Sequence, residues 1–181
     1  MCIRDSGITD ADTELLIRLQ NGGLYPAGID HVVKGKNGTP GQLAGFVQLG
    51  TENKLGDIRN NTSLGITGVI SNEQYQFQED KSCAVGCKQD VKKGKASILC
   101  QLGDKVQEYE VEIEKINLSS EDNKGMEIHV TDPELLKKAG GIVQGMSGAP
   151  LLQDGKCIGA VTHVFVRDVT RGYATFLENM L

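Results

Sequence analysis

The sequence predicts an all-β fold that contains one short helix. Short apolar runs recur at close spacing between Gly, Asn, Asp and Pro, which is typical of strands joined by tight turns. The chain has 23 glycines, no tryptophan and only 4% aromatic residues. The core must therefore be built mainly from Val, Ile, Leu and Ala. At 181 residues, one domain is expected, with room for two small sub-barrels.

The apolar runs define the candidate strands. In chain order they span residues 15–19, 29–33, 42–48, 64–70, 96–102, 107–116, 126–130, 149–153 and 157–166. The strand at 107–116 alternates strictly, so one of its faces is expected to be buried and the other solvated. Tyr109, Val111 and Ile113 form the apolar face, and Glu110, Glu112 and Glu114 form the polar one. A turn at Gly103 and Asp104 is expected to join this strand to the preceding one as a hairpin.

A second hairpin is predicted near the C-terminus. Asp154 and Gly155 supply the residue types that a two-residue turn with positive φ angles requires. The following segment, CIGAVTHVFV, is apolar at both odd and even positions. We therefore expect that strand to be buried on both faces.

The one helix is predicted in TDPELLKKAGG. Asp132 suits the N-cap, Pro133 the first helical position and Gly140 the stop. An acidic residue in the first turn and two lysines in the last complement the helix dipole.

Composition excludes several classes of function. A net charge of -5 with both signs interspersed leaves no basic patch for nucleic acid. No apolar run approaches the roughly 18 residues of a membrane-spanning helix. The five cysteines predict free thiols, because Cys83 and Cys87 lack the two-residue spacing of a zinc site. No cofactor is implied, and a metal site at Cys83, Cys87 and a histidine is a weaker alternative.

Ser147 is the candidate nucleophile. It lies in the pattern G-x-S-G-x-P with Gly145, Gly148 and Pro150. Flanking glycines allow a tight turn that exposes a serine oxygen beside unpaired backbone N–H groups. The nucleophile elbow of α/β hydrolases is disfavoured, because the residues that follow form a hairpin and not a helix. The pattern alone leaves Ser147 open between nucleophile and turn residue.

A long C-terminal block carries a resemblance to a known family. The segment GIVQGMSGAPLLQDGKCIGAVTHVFVRDVTRGYATFLENML resembles the end of the stage IV sporulation protein B family of serine peptidases. The similarity extends upstream through VTDPELLKKAGG, KGKNGTPGQLAG and NNTSLGITG to GITDADT, and it is weakest over residues 73–123. The resemblance implies a chymotrypsin-like double β-barrel with the short helix placed before the nucleophile loop.

The resemblance also implies roles for individual residues. Ser147 would be the nucleophile, and the backbone N–H groups of Gly145 and Ser147 would form the oxyanion hole. Asp132 matches the family's catalytic aspartate, although a role as N-cap already explains it.

The family's general base is a histidine in a Gly-His pair just before the GITDADT-like segment, where this chain has Ser6. Residues 1–6, MCIRDS, resemble a translated sequencing-adapter remnant. We therefore expect residues 7–181 to be a peptidase domain that is incomplete at its N-terminus and inactive without its base. Among the other histidines, His31 is expected at the surface, His129 in a structural role, and His163 buried in its strand.

The leading hypothesis is a serine endopeptidase of the sporulation signalling type that cleaves a membrane-bound regulatory protein and itself. The resemblance places the parent protein between the forespore and mother-cell membranes, attached through segments that this sequence lacks. The alternative is a pseudo-peptidase that acts as a protein-binding or peptide-binding β-domain.

Overall fold

The computed structural model describes residues 2–4, 7–10, 12–13, 15–63, 65–72, 82–120 and 123–180, with backbone only for residues 2–4. The described elements are almost all β-strands, and the predicted all-β class is confirmed. In the N-terminal half the strands are β1 (Cys2–Arg4), β2 (Gly23–Leu24), β3 (Ala27–Val33), β4 (Gln42–Val47), β5 (Gly56–Thr62) and β6 (Gly65–Ile70). In the C-terminal half they are β7 (Ala84–Val85), β8 (Gly94–Gln101), β9 (Val106–Ile116), β10 (Met126–Val130), β11 (Pro150–Gln153), β12 (Lys156–Phe165) and β13 (Asp168–Phe176).

The C-terminal half is a closed β-barrel. Its strands pair in the order β11-β8-β9-β10-β13-β12, and a further pairing of β11 with β12 closes the ring. All of these pairings are antiparallel. The short strand β7 adds in parallel to β12 outside the ring. This barrel agrees with the chymotrypsin-like fold that the resemblance implied.

The N-terminal half is organised differently. Four strands form a sheet in the order β1-β6-β5-β2, and β3 pairs with β4 as a separate hairpin. The pairings described there close no second ring.

The barrel interior is the core of the molecule. Side chains from facing strands meet there, and Tyr109, Val111 and Ile113 are each at most 2% exposed. The glutamates that alternate with them point outward, as predicted from the sequence. Helix α1 (Pro133–Ala139) adds the buried side chains of Leu135 and Ala139 to this core. These apolar contacts fix the walls that carry the loop around Ser147.

The local predictions for helix and turns are confirmed. Helix α1 begins after Asp132, whose carboxylate accepts hydrogen bonds from the N–H groups of Glu134 and Leu135. It ends at Gly140, which adopts the left-handed conformation at φ 81°. Asp154 and Gly155 have φ angles of 52° and 75° in the turn between β11 and β12. Glycine or aspartate is needed at these positions because most side chains clash at positive φ.

The strand predicted at 15–19 is wrong. Leu15 is 70% exposed, and this segment makes only an isolated bridge between Leu16 and Thr9. Asn61 holds it instead, donating from its side-chain amide to the carbonyls of Ile8 and Ile17. An apolar run in sequence indicates a strand only when a neighbouring strand can cover it, and here none does among the described residues.

Two long strands, β5 and β13, and the short strands β1, β2 and β7 were not predicted from the sequence, whereas the remaining strands lie close to their predicted positions. Strand β5, GDIRNNT, contains only one large apolar residue, Ile58. In strand β13 the apolar residues are interrupted by Arg171 and two threonines. Neither has the apolar run on which the predictions depended. In the predicted strand at 64–70, Leu64 lies outside the described residues, and β6 begins at Gly65.

Candidate active site

Ser147 lies in the loop that joins α1 to β11, at the rim of the barrel. Two short turns shape this loop: Met146 N–H donates to Val143 O at 3.1 Å, and Ala149 N–H donates to Met146 O at 2.9 Å. Gly145 and Gly148 adopt φ angles of 100° and 85°, which glycine reaches at little cost. The buried side chain of Met146 anchors the loop to the core. The glycines predicted to shape the turn around Ser147 therefore do so.

The serine hydroxyl is held against strand β12. Ser147 Oγ donates a hydrogen bond to the carbonyl oxygen of Thr162 at 2.7 Å. One residue further along the loop, Gly148 N–H donates to Val161 O at 2.8 Å. These two bonds fix the serine side chain, which is half-buried. Thr162 was not singled out in the sequence, because a backbone acceptor leaves no residue-type signal.

The backbone N–H groups of Gly145 and Ser147 are free within the described part of the chain. No protein acceptor among those residues takes a hydrogen bond from either group. Gly145 is exposed and Ser147 is half-buried. Unpaired N–H groups beside a hydroxyl can stabilise the negative charge that develops on an attacked carbonyl oxygen.

The hairpin β3–β4 supports the loop from the N-terminal half. Leu43 N–H donates to Gln144 O, and Gln144 N–H donates to Gly41 O, both at 2.8 Å. A Cβ atom on Gly145 would lie 3.1 Å from the Cβ of Leu43, so the two backbones approach closely. The segment KGKNGTPGQLAG, which contributed to the family resemblance, therefore contains residues that position the loop around Ser147.

A cavity of about 270 Å³ opens beside Ser147. One wall is formed by the loop before the serine, at Ile142, Val143 and Gln144. The other is formed by the end of β12 and the residue after it, and Pro40 completes the lining. The residues of this second wall are Thr162, His163, Val164 and Val166. No Asp, Glu, Lys or Arg is among these residues.

The structure places Asp132 at the start of α1, where it serves as the N-cap. Its Oδ1 accepts from Glu134 N and Leu135 N at 2.8 and 2.9 Å. Its Oδ2 accepts from Glu110 N at 3.3 Å. Burial raises the pKa of the nearby Cys100 thiol to about 12, and the charge of Asp132 adds to that rise. Within the described chain, no hydrogen bond or ion pair joins Asp132 to Ser147 or to a histidine.

Only one of the three histidines lines the Ser147 cavity. His31 is exposed on β3 and pairs with Asp30 at 2.9 Å. His129 on β10 lies 3.5 Å from Glu114. Both observations agree with the structural positions expected for them.

His163 lines the cavity but is exposed, so the prediction that it is buried is wrong. Strand β12 is buried on both faces from Ile158 to Thr162, as expected. A register shift in its pairing with β13 between Val161 and His163 then breaks the alternation and turns the histidine outward.

The described residues give no sign of a metal site or a membrane span. They contain no group of three His, Cys, Asp or Glu side chains placed to hold a metal ion. Cys83 and Cys87 are exposed free thiols, Cys100 is buried and Cys157 is half-buried. None of the described helices is long and apolar enough to cross a membrane.

The architecture around Ser147 defines the class of protein. A closed antiparallel barrel that presents a glycine-flanked serine beside free N–H groups is the arrangement of the chymotrypsin-like serine peptidases. A family model described as SpoIVB peptidase S55 matches residues 5–181. The chain therefore belongs to the SpoIVB peptidase family, as its sequence indicated. No curated protein and no solved structure matches it.

Proposed function

We propose that this chain is the catalytic domain of a serine endopeptidase in which Ser147 attacks the peptide carbonyl. The observation that carries the proposal is the position of the Ser147 hydroxyl beside the free N–H groups of Gly145 and Ser147. Attack at the carbonyl carbon would form a tetrahedral intermediate whose oxyanion the two N–H groups would hold. Its collapse would break the peptide C–N bond and release the amine, which takes the serine proton from the base, and the acyl-enzyme that remains would be hydrolysed by water.

The reaction also needs a base for the serine proton. The Thr162 carbonyl accepts the hydroxyl hydrogen bond, but a carbonyl oxygen is too weak a base to remove the proton at neutral pH. We propose that the base is the family's Gly-His histidine at position 6, where this chain has serine. The chain as written should then label poorly at Ser147.

We assign Asp132 the role of orienting that histidine. An ionised carboxylate has about four lone-pair sites, and the Asp132 carboxylate accepts three backbone N–H groups. One site remains for an imidazole N–H. The negative charge would also stabilise the imidazolium that forms during attack.

The proposed substrates follow from family membership. We infer that the parent protein cleaves a membrane-associated regulatory protein, and itself, in the space between two membranes during sporulation. Regions outside this sequence would supply the attachment to the membrane.

A fluorophosphonate probe tests the proposal, because it reacts with activated serines. The double substitution Asp5→Gly and Ser6→His restores the Gly-His pair, and we expect it to raise the labelling rate at Ser147 by roughly 10³-fold or more. The matched control, Asp5→Gly with Ser6→Ala, should label as slowly as the chain itself. Adding Ser147→Ala should abolish labelling in every background.

The variant His163→Gln distinguishes position 6 from the histidine in the cavity. It should leave the labelling of the Gly-His protein within about threefold, since a residue outside the reaction costs little. If labelling instead requires His163, or if restoring Gly-His has no effect, the proposed base is wrong.

A non-catalytic binding domain is the second candidate. It is favoured by the bond from Ser147 Oγ to Thr162 O, which occupies the hydroxyl with a neutral acceptor. A peptide-binding protein that never labels at Ser147, even with Gly-His restored, would support this alternative.

A further inference from the structure

The cavity beside Ser147 has a composition that suits one class of substrate side chain. Ile142, Val143, Val164 and Val166 supply apolar surface. We propose that this cavity binds the side chain of the residue whose carbonyl is attacked, and that it selects an uncharged aliphatic residue. The inference rests on the proposed function and extends it to the class of cleavage site.

The position of the cavity follows from the geometry of attack. The scissile carbonyl carbon must lie at Ser147 Oγ, with its oxygen directed to the N–H groups of Gly145 and Ser147. The Cα atom of the same residue is one bond away from that carbon. Its side chain must therefore enter space next to Ser147. The cavity between the 142–144 loop and the end of β12 is such a space, because Ser147 is one of its lining residues.

The size of the cavity suits an aliphatic side chain. A volume of about 270 Å³ equals that of roughly nine water molecules at about 30 Å³ each. A glycine would leave this space filled with water, whereas a leucine would release water from apolar walls. An aliphatic residue should therefore bind more tightly than glycine.

The absence of charge from the lining excludes ionised side chains. Lysine, arginine, aspartate or glutamate in this cavity would give up hydration without meeting an opposite charge from the lining residues. The one titratable lining residue, His163, is exposed at the edge. We expect peptides that place a charge in the cavity to bind at least tenfold more weakly than aliphatic ones.

The neighbouring edge of β12 provides a place for the peptide backbone. On the edge opposite β13, Val161 N–H donates to Ala149 O, Gly148 N–H donates to Val161 O, and Thr162 O accepts from Ser147 Oγ. Beyond the strand, Gly38 N–H donates to the carbonyl of Val166. Between Thr162 and Val166 no other described strand covers this edge, so the backbone of an extended peptide can pair there over a short stretch.

Product peptides test the inference without requiring catalysis. Four acetylated tetrapeptides with a free carboxylate would be used, identical except for a last residue of Leu, Gly, Lys or Asp. Binding to the chain and to its Ser147→Ala variant is measured by calorimetry and by NMR shifts of Gly145 and Val164. We expect the Leu peptide to bind about tenfold more tightly than the Gly peptide, and the Lys and Asp peptides to bind more weakly than Gly.

A charge-changing variant locates the preference. Val166 lines the cavity and is 55% exposed, whereas Val106 on β9 is 56% exposed and lies elsewhere. Val166→Asp should weaken the Leu peptide and strengthen the Lys peptide, each about tenfold, while Val106→Asp should change neither.

Equal binding of the Leu and Lys peptides, no measurable binding of any peptide, or no effect of Val166→Asp would overturn the inference. Fluorophosphonate labelling is read separately. If the protein with Gly-His restored fails to label at Ser147 but the Leu preference is intact, the result counts against the catalytic proposal and not against the cavity.

Discussion

The two halves of the molecule bury their apolar residues very differently. The buried core cluster draws all of its members from residues 91–176. In the N-terminal half, Ile66 is the only hydrophobic residue described as buried, and Leu15, Phe46 and Leu49 are more than half exposed. Burial of apolar surface is the main source of folding free energy. The barrel should therefore carry most of the stability of the described chain.

Among the described residues of the N-terminal half, hairpin β3–β4 is the element that bonds to the residues around Ser147. Hairpin β3–β4 and the segment between its strands bond to the residues around Ser147: Gly35 N–H donates to Ala139 O, Gly38 N–H donates to Val166 O, and Leu43 N–H donates to Gln144 O. The barrel thus presents Ser147, and the hairpin fixes the loop around it. The difference teaches that the geometry around Ser147, and with it the proposed catalysis, can depend on the N-terminal half even if stability does not.

The largest expected difference in stability is between truncating a phenylalanine of the barrel and truncating one of the N-terminal half. Phe176 is fully buried and Phe46 is 58% exposed. Phe176→Ala should lower the free energy of unfolding by about 3–5 kcal/mol, because it leaves a cavity in the barrel. Phe46→Ala should change it by less than about 0.5 kcal/mol. Urea unfolding followed by circular dichroism measures both, and comparable losses would contradict the comparison of the halves.

The sequence predicted most of the barrel and the turn at the site. Helix α1 and the Asp154-Gly155 hairpin depend on caps and turn residues that act over a few positions, so local rules located them. The segment at 15–19 failed because its apolar residues have no partner sheet. Strand β13 was missed because its place between β10 and β12, which pair on either side of it, is a property of the whole barrel.

The site shows the same division. Ser147 and its glycines could be identified from spacing, because glycine reports directly on positive φ. The bond to the Thr162 carbonyl could not, because every residue has a carbonyl. The outward turn of His163 depends on a register shift against β13, which the sequence of β12 alone does not encode.

A substitution at Gly145 tests the contact between the halves. Gly145→Ala combines a strained φ of 100° with a Cβ contact 3.1 Å from Leu43. We expect it to cost about 2–3 kcal/mol of stability and, in the protein with Gly-His restored, to slow labelling of Ser147.

Gly155→Ala is the matched control for Gly145→Ala. Gly155 has φ 75° and nothing within 4 Å of an added Cβ, so it should lose only the strain, about 1–2 kcal/mol. Adding Leu43→Ala to Gly145→Ala should recover part of the difference. Equal losses at the two glycines would show that the hairpin contact is unimportant.

Two substitutions at Asp132 separate its cap from its proposed catalytic role. Asp132→Ala removes the acceptors for Glu134 and Leu135 and should cost about 1 kcal/mol. Asp132→Asn keeps one oxygen to accept from Glu134 and Leu135 N–H but loses the acceptor for Glu110 N–H, so its stability should fall between those of the parent and of Asp132→Ala. In the protein with Gly-His restored, the same Asn variant should still lose most of its labelling rate. Unchanged labelling would contradict the proposed catalytic role, and Asp132 would then act only as the N-cap that stabilises the barrel.

The smallest expected effect on stability comes from replacing two aspartates, one in each half, that each accept a hydrogen bond from a nearby threonine. Asp168 in the barrel accepts from Thr170 Oγ1 at 2.6 Å, and that bond is the main reason its pKa lies below the ordinary value. Asp10 in the N-terminal half accepts from Thr13 Oγ1 at 2.8 Å, which likewise lowers its pKa. A carboxyl whose folded pKa is depressed adds stability above its unfolded pKa and loses it as the pH falls through the folded value.

Asp168→Asn should therefore lower the free energy of barrel unfolding by a few tenths of a kcal/mol at neutral pH, since the group is largely solvent-screened. This difference in the free energy of unfolding should shrink as the pH falls and Asp168 of the parent protein becomes protonated. The unfolding curves of the parent and of Asp168→Asn should therefore converge in acid. Asp10→Asn should not move the barrel transition at any pH, because the N-terminal half contributes little to that transition. Urea unfolding from neutral pH into the acid range measures both variants. If Asp10→Asn shifts the transition as much as Asp168→Asn does, the two halves unfold as one cooperative unit. The hairpin would then transmit stability to the barrel as well as position the loop around Ser147.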